Sequence, residues 1–229
     1  MAHPPIRGKD VKITIALLGK KPGDRIKPTP ETLAIGAAGP AKGATTITLA
    51  GAPTNVIQSG QRLLFVDEDG NEFIAVVSAK PTSTALSVRA LDEAIPPGAT
   101  AQFPVKMWDR TDSGVDRSYN MASVNHYDDG GTRDGVSTGS EKNISLPGIY
   151  YEKNAGLITC LHAADQGIPI WIRRELPPPS DAFSTGRVIE GAGLITGAPD
   201  SAPTDNFVTM DLNASFVGDV LEVSPLAVA

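Results

Sequence analysis

The 229-residue chain is poor in the residues that build most chemical sites: one Cys, three His and only 5% aromatics. A disulfide needs two thiols and a structural zinc site usually takes four Cys or His ligands, so Cys160 cannot form an intrachain bridge and no zinc module is expected. Basic residues are also in the minority. The 20 Lys plus Arg stand against 26 Asp plus Glu, a net charge of −6, which argues against a surface that grips nucleic acid phosphates. Any contact with DNA would be weak or passing. No apolar run approaches the ~18 residues of a membrane span, and Ile13 to Leu18 is too short for a signal core. A soluble protein made in a reducing compartment, with no membrane contact, is expected.

What the chain does have is glycine and proline, 23 and 19 of them. That share favours strands and turns, yet stays below the roughly 25–30% at which low complexity becomes the better reading. Apolar residues at 41% can fill a core. Length allows one large domain or two small ones, since domains run about 100–200 residues.

Near the start, Val11, Ile13, Ile15 and Leu17 alternate along a strand. The small-residue stretch Gly36 to Gly43 reads as a linker. Beyond it two segments resemble each other. Thr45 to Leu49 followed by Val56 to Gly60 matches Thr84 to Val88 followed by Ala94 to Gly98, at offsets of 39 and then 38. Each runs into a strand carrying an aromatic, Phe65 in one and Phe103 in the other, which predicts a duplicated β unit over roughly 44 to 105. Between the copies, Asp67-Glu68-Asp69-Gly70-Asn71 is a hairpin turn flanked by Leu63 to Val66 and Phe73 to Val77.

Lys106 to Leu146 is polar and turn-rich, which predicts a long loop or an extended hairpin. The segment Asn154 to Gln166 predicts the chain's one helix: Leu157, Ile158, Leu161 and Ala164 share a face, Asn154 can cap the start, and Gly167 suits the end. Strands are then expected at Ile168 to Leu176, Gly186 to Ile195 and Asn206 to Val217, the last alternating polar and apolar over its length. The fold class read from this order is mainly β, an antiparallel sandwich or barrel with one packed helix.

Candidate chemical motifs fail on their contexts. Gly135-Val136-Ser137-Thr138-Gly139 matches the nucleophile elbow G-x-S-x-G, but that motif needs an apolar strand before it and a helix after it, and neither flank fits. His126 and His162 are the only bases within the body of the chain, and nothing in the spacing brings either to Ser137. Asp67-x-Asp69-Gly70 resembles the opening of a calcium loop without its later ligands, so a solvated turn is expected. Gly39 to Thr46 has its Lys before the glycine instead of after it, and Gly191-Ala192-Gly193 precedes no helix, so neither is a phosphate or dinucleotide site. Cys160 reads as a buried, inert thiol on the helix, with His162 at the helix's polar edge, and Trp108 and Trp171 read as packing anchors. No catalytic residue, cofactor or metal ligand is assigned, and no enzyme is expected.

From about Thr111 onward the chain resembles the major tail tube proteins of long-tailed bacteriophages. The residues that carry the resemblance are Asp128-Asp129-Gly130-Gly131-Thr132-Arg133-Asp134, the approach to Ile144-Ser145-Leu146-Pro147-Gly148, and the helix Gly156 to Ala164. They continue through Ile168 to Arg174, Gly191 to Gly197, and Ala202 to Thr209. The resemblance implies a β sandwich flanked by one helix that closes into hexameric rings, stacks as a tube and passes the genome through its lumen. It implies a tube domain of 1–40 and 106–229, with 41–105 as an inserted duplicated β domain. It also implies that Ser118 to Glu141 reaches the neighbouring ring, which makes His126, Tyr127, Asp128, Asp129, Arg133 and Asp134 inter-ring contact candidates. The implied partners are further copies of the chain, the tape measure, tail terminator and distal tail or baseplate proteins, passing DNA, and a sheath protein if the tail contracts. The implied location is the virion tail, after assembly in the host cytoplasm. The alternatives are a neck, tail-completion or capsid-decorating protein and, from another class, a hydrolase using Ser137.

Overall fold

The computed structural model describes residues 11–21, 25–107, 114–125, 133–180, 183–201 and 208–225; of strand residues 114, 117–125, 133–140 and 201 it describes the backbone alone. The chain is mainly β, with one helix among the described residues.

The larger sheet is built from eight antiparallel strands. They are β1 (Lys12–Leu17), β8 (Val105–Met107), β9 (Gly114–Asn125), β10 (Arg133–Ile149), β11 (Ile170–Glu175), β12 (Val188–Gly197), β13 (Asp200–Ser201) and β14 (Thr209–Val223). Their spatial order is β8-β1-β11-β12-β14-β10-β9, with β13 beside β14. Strand β1 sits between β8 and β11, with Ile15 opposite both Val105 and Ile172. The alternation read from the sequence works as a pleat should: Ile13, Ile15 and Leu17 are buried, as are Met210, Leu212 and Ala214 on β14, whereas Thr209 and Asp211 are exposed. Trp171 is buried too.

Helix α1 (Ala155–Gln166) begins where Asn154 Oδ1 accepts a hydrogen bond from the Leu157 N–H at 3.1 Å and ends at Gly167, whose φ of 59° lets its N–H reach back to Ala163 and Ala164. Its buried face differs from the expected one. Leu157 is buried as expected, but it is joined by Gly156, Thr159, Cys160 and Ala163, while Ile158, Leu161 and Ala164 lie half-buried. The cause is close approach. A Cβ at Gly156 would stand 3.0 Å from Lys106 O and from Met107 Cα, so the helix rests on its small side chains and its bulkier ones flank the contact. Leu157, Cys160 and Ala163 share a core with Ile13, Ile15, Leu17, Ile170, Ile172, Ile144 and Leu212.

A second core lies in the early part of the chain. Here β2 (Glu31–Ala34), β4 (Arg62–Val66), β5 (Glu72–Val76) and β7 (Thr100–Phe103) form a sheet in the order β2-β7-β4-β5, and β3 (Thr46–Thr48) pairs with β6 (Ala85–Ser87). The bonding pattern is two-fold. The Leu49 N–H donates to Thr84 O as that of Val88 does to Thr45 O; Gly36 to Thr48 O as Ser78 to Ser87 O; Ile35 to Ala99 O as Val77 to Gln61 O; Ala50 to Ala34 O as Arg89 to Val76 O. Counterpart side chains Ile35 and Val77, Ile47 and Leu86, Ile57 and Ile95, Phe65 and Phe103 are all buried in one cluster. The pattern opens at β2 and β5, earlier than the repeat legible in the sequence. The Gly36 to Gly43 stretch, expected as a linker, runs inside this unit: Ile95 N–H bonds Pro40 O and Gly43 N–H bonds Leu91 O, and a Cβ at Gly39 would fall 2.3 Å from Ile95 O. Its small residues serve packing.

The turn at 67–71 is a capped hairpin. The Asp67 carboxylate accepts from the backbone N–H groups of Asp69 and Asn71 and from the Asn71 side chain, and Gly70 supplies a φ of 83°.

Candidate functional site

The polar stretch expected as a loop or hairpin is an extended hairpin, and it departs from the sheet. Strand β10 pairs with β14 from Asn143 opposite Ser215 to Ile149 opposite Thr209. From Arg133 to Lys142 its partner is β9 alone among the described residues, with the register running from Arg133 opposite Asn125 to Lys142 opposite Arg117. The result is a two-stranded arm carried on the edge of an eight-stranded sheet. The register shifts between Ser137 and Gly139, a bulge that increases local twist.

Of the residues singled out as contact candidates, Arg133 and Asp134 lie in this arm, their backbones opposite Asn125 and Val124. His126, Tyr127, Asp128 and Asp129 lie outside the described residues, as does Trp108. Ser137 sits within the β10 ladder opposite Met121. A nucleophile elbow requires a strand-to-helix turn, and this backbone has none there.

At the arm's base, Lys142 pairs with Glu222 at 2.9 Å, and Glu222 also meets Arg187 at 2.6 Å. Beside them a cavity of about 440 Å³ is lined by Lys142, Phe216, Gly218, Asp219 and Val220. A second cavity, of about 520 Å³, opens between β11, β12, β14 and the 18–27 segment, over Trp171 and Glu190. Glu190 is the residue that sequence reading missed. Its carboxylate is 3% exposed and is held by Lys27 and by Arg173 at 3.4 Å, Arg173 also reaching Glu175 at 3.1 Å. A lone Glu in a β-rich stretch carries no signal of burial; only the register, which sets Arg173 opposite Glu190, brings the pair together. Ile26 and Leu221 are exposed near this opening.

Among the described residues there is no group of three or more His, Cys, Asp or Glu that could hold a metal ion. The Cys160 side chain is buried. No described helix is long and apolar enough to cross a membrane.

No known protein family profile matches the chain, and no curated protein matches it. Among solved structures it is similar to a chain in the virion of a native gene transfer agent particle, at 10% identity and a TM-score of 0.42, covering 72% of this chain and 96% of that one. It is likewise similar to a chain in the tail of an empty gene transfer agent particle refined with C6 symmetry, at 11% identity, a TM-score of 0.42 and the same coverage.

Proposed function

We propose that the protein is a structural tail tube subunit of a phage-like particle: six copies close into a ring, rings stack, and the bore conducts the genome. The observation that carries this reading is the β9–β10 arm. A two-stranded hairpin without further support is marginal in water, so residues 117–125 and 133–142 call for a surface outside their own subunit. A second copy in the next ring supplies one. Candidate contact residues there are His126, Tyr127, Asp128, Asp129, Arg133 and Asp134.

Two further features support the reading. Among the described residues the large sheet ends at β8 and β9, and sheet edges template pairing unless a neighbour covers them; a closed ring does so. Strand β14 has a wet side, with Thr209 and Asp211 exposed, and a dry one at Met210, Leu212 and Ala214, which suits a wall around an aqueous bore. A charge of −6 per copy would let DNA slide without sticking. The tube domain comprises the large sheet with α1, and the insert displayed from it takes in residues 31–40 together with 41–105, because β2 pairs with β7. The partners are the tape measure, terminator and distal tail proteins, with a sheath if the tail contracts.

Deleting residues 128–134 tests this. Sedimentation should find folded subunits that no longer form long polymers, and polymers of unchanged length would refute the arm's role. A neck, completion or decorating protein would instead give a fixed small oligomer with or without the deletion. Ser137→Ala should leave any ester turnover of the preparation unchanged; loss of turnover would favour the hydrolase.

A further inference from the structure

The two-fold unit has two equivalent poles, at the turns ending in Gly60 and Gly98, both at positive φ. Their environments are opposite. Gly60 is buried and Gly98 is exposed. A Cβ on Gly60 would fall 2.0 Å from His162 Nε2, while one on Gly98 would meet nothing within 4 Å. The residue after each glycine differs as well: Gln61 in one copy, Ala99 in the other.

Gln61 is fully buried, and its amide is spent on the rest of the chain. Oε1 accepts from the Leu17 N–H of β1 at 2.9 Å, and Nε2 donates to Arg62 O at 2.9 Å and to Thr159 Oγ1 on α1 at 3.3 Å. Thr159 Oγ1 in turn accepts from the Arg62 N–H at 3.2 Å, and Arg62 Nη1 donates to Ile158 O at 3.1 Å. Leu17 is the last residue of β1, and its N–H would otherwise be a buried orphan. An alanine, the residue of the other pole, makes none of the side-chain bonds.

We propose that Gln61 is the positioning residue that fastens the Gly60 pole of the duplicated unit to β1 and α1, a role that its counterpart Ala99 at the exposed Gly98 pole cannot fill. The chain passes from β7 to β8 through Pro104 alone, which sets the end of the unit that meets the large sheet but not how firmly that end is held. Ala16, Val105 and Ala155, which join the unit's core from β1, β8 and α1, supply apolar contact without direction. The carboxamide adds direction, because a donor and an acceptor must meet Thr159 and Leu17 at once, and a misdocked unit would leave those groups buried and unpaired. The inference concerns the subunit alone and stands apart from whether it forms tubes.

Amide hydrogen exchange and ¹⁵N relaxation of the full chain test it, with Gln61→Ala and Thr159→Val. In Gln61→Ala the Leu17 amide should exchange at least about tenfold faster, and the unit should tumble faster than the large sheet, while the Ile35 and Val77 amides inside the unit keep their protection. Thr159→Val should move the same signals less. An unchanged Leu17 amide, or a unit that still tumbles with the sheet, overturns the proposal. Loss of protection at Ile35 and Val77 also overturns it, since Gln61 would then hold the unit's fold and not its docking.

Discussion

The two cores of this molecule are assembled in different ways. The core of the duplicated unit draws almost wholly on residues 33 to 103, with Ala16, Val105 and Ala155 joining it from the large sheet and α1 among the described residues. The core under the large sheet gathers Ile13 from one end of the chain and Leu212 from the other, with α1 between. A core made from one contiguous stretch closes short loops, while one spanning the whole chain closes long ones before its contacts repay the entropy. The first should behave as its own cooperative unit, and the second should depend on every element at once.

Core truncation tests this most strongly. Phe65→Ala should cost about 3–5 kcal/mol, and exchange should be lost at Ile35 and Val77 while Ile15 stays protected. Ile172→Ala, at about 2–5 kcal/mol, should loosen α1 and the large sheet while sparing the unit. If either change melts both cores together, the comparison fails.

The equivalent glycines sharpen it next. Gly98→Ala meets open space and should cost about 1–3 kcal/mol for its left-handed backbone alone. Gly60→Ala adds the collision with His162, so thermal melts should rank it clearly below Gly98→Ala. Equal losses would mean that the two poles are not differently docked.

A smaller effect is expected from pH. Burial, followed by the charges of Arg62 and Arg89, holds the His162 pKa below its usual 6.5, with Asp165 pulling the other way and Lys20 adding the smallest push downward. The unfolded chain therefore takes up this proton more readily than the folded one. Stability should be indifferent to this group above about pH 6.5 and should fall as the pH drops through that value toward the lower folded pKa. Comparison of melting temperatures for the parent and His162→Gln from pH 7.5 to 5 checks it; parallel curves would remove His162 from the junction.

Much of this was legible in residues that act locally. Asn154 and Gly167 mark the helix ends because capping depends on side chains a few positions away, and Asp67 to Asn71 marks its turn for the same reason. Alternation at Ile13, Ile15 and Leu17 named a buried strand face. Closeness left no such trace. Gly39 and Gly156 look like flexible or indifferent positions until Ile95 O and Met107 are found against them. Strands β2 and β5 share too little character to be recognised as counterparts, Leu33 and Ile35 answering to Ala75 and Val77, yet their hydrogen bonds match. The arm was foreseen in outline from the polar stretch between Lys106 and Leu146, but its standing apart from the sheet follows from where the β10–β14 register stops.

The most direct measurement of the central claim is electron microscopy of the purified protein at rising concentration. Stacked rings or tubes, with six subunits per ring in end-on views, are the expected result. A fixed small oligomer, or a monomer that never polymerises under assembling conditions, would contradict it.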